Sequence, residues 1–202
     1  MVKVSEKVRV KAALLGLAGL MLLLSSCLTN KKESGLRPVY ITNTKKIKLL
    51  EPQYTEREIS EVQLLNGSFG DTGFSLLSYS EINKDGIMLE LFNDFGTDMG
   101  RLSYDGISVT FDSAYFPSKL PGEYIVADIQ NAFYAESALK QNYEAARLTF
   151  ESSRAENDES EIIENRRIYD GKNLIEEITI TPSEVSVKNI LRAYSYSLIC
   201  SQ

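Results

Sequence analysis

The sequence predicts an α+β fold: a curved antiparallel sheet with a helical lid over its apolar face. Three observations carry that expectation. Asp-Gly turns separate apolar segments that alternate with period two, a helical period appears only in the middle of the chain, and the length suits one domain with one core.

The strands come first. Asp-Gly tolerates the positive φ that tight hairpin turns demand. Phe74–Ile82 leads through Asn83-Lys84-Asp85-Gly86 into Ile87–Phe95, and Met99–Tyr104 turns at Asp105-Gly106 into Ile107–Asp112, with Ile107, Val109 and Phe111 on one face. Ile162–Tyr169 turns at Asp170-Gly171 into Lys172–Thr181, with Leu174, Ile178 and Ile180 on one face. Ala146, Leu148 and Phe150 alternate in another strand, and Tyr194, Tyr196, Leu198 and Cys200 in the last. Such alternation gives a sheet with one face buried and one wet. After Pro121 the apolar residues Ile125, Ile129, Ala132 and Phe133 follow helical spacing, and a second short helix is expected around Ala135 to Gln141. Helices of this kind pack across the concave face of a curved sheet.

The N-terminus adds an anchor. Lys3, Lys7, Arg9 and Lys11 precede the uncharged run Ala12 to Leu24, and Leu24-Ser25-Ser26-Cys27 closes it. A basic start, a short apolar run and small residues before a cut describe a secretory signal. The cysteine after two small residues makes it a lipoprotein signal, removed at 1–26 with Cys27 acylated. The uncharged run rises about 20 Å as a helix, short of the roughly 30 Å hydrocarbon core, which argues against a membrane-spanning helix. Residues 27–38, broken by Gly35 and Pro38, read as a flexible tether, and 39–202 as one domain.

The leader holds four of the 22 Lys+Arg and one of the 28 Asp+Glu, which leaves residues 27–202 with a net charge of −9. That argues against nucleic acid as a partner and against electrostatic docking on anionic lipid. The membrane is therefore held by acyl chains at Cys27. Leu28 is not the aspartate that retains a lipoprotein at the inner membrane, so the periplasmic face of the outer membrane is expected. With no histidine, Ser-His and Cys-His catalysis and imidazole-bound zinc are excluded. Cys200 has no disulfide partner once Cys27 is acylated and reads as a small buried hydrophobe. No cofactor or metal is expected, and the domain is expected to be a monomer.

Gly-Arg-Leu-Ser-Tyr-Asp-Gly (100–106), Leu120-Pro121, Ala127-Asp128-Ile129-Gln130, Phe133-Tyr134 and Arg166-Arg167-Ile168-Tyr169 together resemble an uncharacterised family of bacterial lipoproteins. Its members are described as LolB-like, after the outer-membrane lipoprotein receptor, and some are encoded in clusters of fatty-acid-synthase type, including those for aryl polyene lipids. The resemblance spans roughly residues 70–200 and implies an incomplete barrel closed by helices around a cavity for acyl chains. The chain departs from the pattern in having no tryptophan: Phe133-Tyr134 stands where the family often has Tyr-Trp or Trp-Pro.

Candidate residues follow, each with two readings. Tyr124, Ile125, Ile129, Phe133 and Tyr134 line the cavity or simply pack the core. Asp128 and Gln130 fix the lid or orient a head group, or form a solvated or capping pair. Arg166 and Arg167 bind a phosphate or carboxylate head group, or pair across strands with acids near Glu156–Glu164. Asp94 and Asp98 have the chemistry of an acid/base pair, but turn aspartates are common and there is no Gly-x-Ser-x-Gly elbow, so no enzyme is expected. The expected function is the binding or transfer of lipid, acyl chains or lipoproteins. The alternative is a non-catalytic envelope scaffold.

Overall fold

The computed structural model of the chain describes residues 36–113, 121–158 and 160–200. The expected signal (1–26), Cys27 and most of the tether lie outside them. Ser34–Gln202 form one compact unit that contains the whole described core, which is what a unit needs to be able to fold alone.

A short ribbon pairs β1 (Val39–Tyr40) with β2 (Lys46–Ile47). A 3-10 turn at Pro52–Tyr54 leads into β3 (Ile59–Phe69), β4 (Thr72–Ile82), β5 (Ile87–Phe92), β6 (Asp98–Tyr104) and β7 (Val109–Asp112). Two helices follow, α1 (Gly122–Phe133) and α2 (Glu136–Ala145). The chain ends with β8 (Thr149–Glu156), β9 (Ile162–Asp170), β10 (Asn173–Ile180), β11 (Glu184–Asn189) and β12 (Tyr194–Cys200). The ten strands β3–β12 form one antiparallel sheet in the order β7-β6-β5-β4-β3-β12-β11-β10-β9-β8. It is not closed: β7 and β8 are its edges.

Helix α1 contacts both β7 and β10. In a flat sheet those strands, seven intervals apart, would be about 34 Å from each other, whereas twelve residues of helix span about 18 Å. The sheet therefore curls, with α1 against its inner face. Cross-strand register shows what that face carries. One row joins Leu102, Leu89 and Ser80; another joins Leu76, Leu65, Leu198, Val185 and Ile180. Apolar burial here, at about 25 cal/mol per Å², is the main force holding the sheet closed on its helices.

The turns behave largely as their chemistry predicts. Gly171 takes the positive φ of its turn, at 62°. Gly86 is needed for a different reason: a Cβ there would lie 2.4 Å from the carbonyl oxygen of Tyr104. Asp105 accepts hydrogen bonds from the amides of Ile107 (2.9 Å) and Ser108 (2.7 Å), which delays the start of β7 and leaves Ile107 exposed in the turn. Ile107 thus does not share the face of Val109 and Phe111.

Three other expectations need correction. The register shifts between Leu174 and Glu176, so Leu174 pairs with Tyr169 on the outer face and Glu176 with Ile168 on the inner one. Helix α2 runs on to Ala145, because no glycine or proline stops it earlier and Arg147 (φ 59°) provides the exit. Ala146 therefore caps that helix and does not begin β8.

Candidate functional site

Helix α1 is buried on nearly every side. Val126 to Phe133 are all buried, because the sheet lies on one side and residues 49–57 on the other. Asp128 and Gln130 are therefore neither solvated nor capping. Gln130 donates to the Leu50 carbonyl (2.7 Å) and accepts from the Leu50 amide (3.0 Å). Asp128 accepts a 2.6 Å hydrogen bond from the Tyr194 hydroxyl of β12. Of the other predicted residues, Ile129, Phe133 and Tyr134 are buried, and Tyr124 and Ile125 are half-buried against the core. The Tyr124 hydroxyl accepts from the Tyr40 amide (3.3 Å), and the Arg192 guanidinium lies 5.0 Å from its ring centre.

Arg166 and Arg167 are neighbours on a strand and so point to opposite faces. Arg167 is on the outer face, 2.7 Å from Glu177. Arg166 points inward and is fully buried. The structure does not bring them together. Asp94 is exposed in a turn, and Asp98 accepts from the Gly100 amide at the start of β6.

Two polar clusters tie α1 to the sheet. In the first, the Glu176 carboxylate accepts from Asn131 (2.9 Å) and Asn189 (2.8 Å), while Asn131 accepts from the Tyr143 hydroxyl (2.9 Å). Burial raises the pKa of both Asp128 and Glu176, and at Asp128 the negative charge of Glu176 adds to it. Burial likewise pushes the hydroxyls of Tyr194, Tyr196 and Tyr143 up.

The second cluster gathers on Glu164. Its carboxylate accepts from Arg166 Nε (2.5 Å), Arg154 Nε (2.8 Å), Ser152 Oγ (3.1 Å) and Arg57 Nη2. Burial works to raise the Glu164 pKa, but the hydrogen bonds from Arg166 and Arg154 and the charges of Arg166 and Arg57 outweigh it and bring it down to about 2. Arg166 Nη1 donates to the carbonyls of Asn131 (3.0 Å) and Tyr134 (2.8 Å), and Arg57 Nη1 to that of Ala132 (3.2 Å). The C-terminal carbonyls of α1 are thus satisfied by guanidinium groups, which also suit the negative end of the helix dipole. Chemically, the cluster presents excess positive charge and unfilled donors at one end of an apolar face.

A polar cleft of about 370 Å³ lies beside β8, lined by residues that include Glu136, Lys140, Glu151, Asn165 and Arg167. The outer face also exposes apolar side chains: Leu64 and Leu77 pair across β3 and β4, in a row with Ile199 and Phe92, and Val62 lies beside them.

The sequence offered the acids up to Glu164 as ion-pair partners for Arg166, and that pair forms, but Arg57, Arg154, Asn131, Glu176 and Tyr194 were passed over as members of these clusters. The available signal was a charged residue at an apolar position of the alternation, Glu176 in phase with Ile178 and Glu164 in phase with Ile168.

No curated protein matches the chain. A family model described as a protein of unknown function (DUF3261) matches residues 60–199, nearly the whole ten-stranded sheet with both helices. The chain belongs to that family.

Proposed function

We propose that this protein is a lipid-anchored module that binds acyl chains, or the lipid part of lipoproteins, inside a LolB-like half-barrel at the periplasmic face of the outer membrane. One observation carries the proposal: an unclosed antiparallel sheet curls around an apolar face, and a buried helix crosses that face. Such a face suits an acyl chain, because each CH₂ group that leaves water contributes about 0.8 kcal/mol. A sixteen-carbon chain then gains over about 10 kcal/mol gross, and transfer to a partner needs only a modest difference in affinity. The anchor reading rests on Leu24-Ser25-Ser26-Cys27. Feeding cells labelled palmitate tests it: the label enters the native chain and not Cys27→Ser.

The binding reading is tested with the Ser34–Gln202 unit and a fluorescent fatty acid. Saturable binding, displaced by unlabelled palmitate, is expected. A scaffold role is the second reading, and the exposed Leu64 and Leu77, in a row with the half-buried Ile199 and Phe92, favour it. In that case the fatty acid does not bind, and Leu64→Lys with Leu77→Lys releases a protein partner that cross-links to the native chain in cells.

A further inference from the structure

We infer that Arg57, Arg154 and Arg166 form a binding site for an oxyanion, the phosphate or carboxylate head group of an amphiphile whose chain lies along the inner face. The inference rests on the acyl-binding reading above and adds to it the chemistry of the head group.

Charge comes first. Three guanidinium groups contact one carboxylate, Glu164. Arg57 and Arg166 also cap carbonyls of α1, but the one carboxylate balances only one of the three positive charges. Among the described residues the next acid, Glu56, is 3.9 Å from Arg166 Nη2 and half exposed, and Glu56 and Glu136 act on Arg154 only through their charge. The donors tell the same story. Among the described residues, Arg154 bonds through Nε alone, and Arg166 Nη2 is buried without a hydrogen-bond acceptor. A buried guanidinium donor left unfilled is costly, and planar guanidiniums suit bidentate contact with phosphate or carboxylate.

Placement supplies the third argument. Arg166 stands in the same cross-strand row as Ile178, Val187 and Tyr196, and Glu164 in the row of Ile180, Val185 and Leu198. The apolar inner face therefore runs directly into the cationic cluster. Side-chain exposure rises from 0% at Arg166 through 28% at Arg57 to 55% at Arg154, so the cluster connects the interior to water. An amphiphile with an anionic head matches that gradient from apolar to cationic to wet. The Glu56 carboxylate stands where a ligand oxygen would approach Arg166, and an incoming anion displaces it.

The test uses the Ser34–Gln202 unit with dodecyl phosphate, dodecanol and inorganic phosphate, and binding is followed by calorimetry. Dodecyl phosphate is expected to bind more tightly than dodecanol. Arg154→Gln, at an exposed position that leaves the fold intact, weakens dodecyl phosphate by about tenfold, the worth of one charge-assisted hydrogen bond, and leaves dodecanol unchanged. Glu56→Gln tightens dodecyl phosphate, an effect that a merely structural network would not produce. If both amphiphiles bind equally and neither substitution changes their ratio, the oxyanion site is wrong and the acyl-binding reading stands. If inorganic phosphate alone binds, and does so through Arg154, the site takes a free oxyanion and the acyl-binding reading falls. If no probe binds, both fall.

Discussion

Glu164 holds three arginines, and its removal leaves them facing one another. Glu164→Gln is expected to cost about 3 kcal/mol, the low end for a broken buried ion pair because Arg57 and Arg154 still reach water; urea denaturation measures it. The carboxylate, with its pKa lowered to about 2, contributes stability that is present above pH 4.5 and is lost as pH falls from there toward 2. Asp128 and Glu176 act in the other direction. Their folded pKa values are raised, so their contribution is complete below the ordinary carboxylate range and is lost as pH rises through the raised values. Stability should therefore peak at mildly acidic pH. Asp128→Asn keeps an acceptor for Tyr194 and removes the buried charge, so its advantage over the native chain should grow between pH 5 and pH 8. Urea midpoints that stay parallel across that range would contradict the assignment. The individual residues were partly legible in the sequence. Asp128, Gln130 and Arg166 stood out as polar groups among apolar neighbours, and Arg154 faces Glu164 across the β8–β9 hairpin, but Arg57 comes from a loop more than a hundred residues away, and only the tertiary fold brings it to them.

Elements with strong local chemistry were legible in the sequence. The hairpins at Asn83–Gly86, Asp105-Gly106 and Asp170-Gly171 form where their turn residues place them, and α1 starts just after Pro121. β3 was hidden for a physical reason. It turns Val62 and Leu64 outward and Gln63 inward, so the binary pattern that marks a half-buried strand is blurred. The ribbon β1–β2 is two residues on each side, too short to show a period. The bulge after Leu174 reverses a face through backbone geometry that alternation alone does not signal. At the start of α1, Gly122 lets the helix meet the sheet closely: a Cβ there would lie 2.8 Å from Phe111 Cβ and Val109 Cγ1, and 3.1 Å from Leu102 Cδ1. Gly122→Ala should therefore destabilise the domain by about 1–3 kcal/mol, as overpacking does in other cores, and thermal melting should show a lower midpoint. An unchanged midpoint would mean that α1 shifts freely on β6 and β7.

At the scale of the molecule, α+β class, antiparallel pairing and a helical crossing were all within reach of sequence patterns. The strand order was not, because β3 pairs with β12 across the largest sequence separation in the sheet, and no local signal encodes that pairing. That pairing joins the N-terminal and C-terminal meanders into one curled sheet, which is what makes an apolar inner face possible at all. An acyl-binding role therefore requires that this inner face take up an acyl chain. Native mass spectrometry of the Ser34–Gln202 unit with palmitate is the most direct measurement. A species heavier by one fatty acid, saturating at one per chain, is expected. Bare protein at every ratio of palmitate to protein would contradict it.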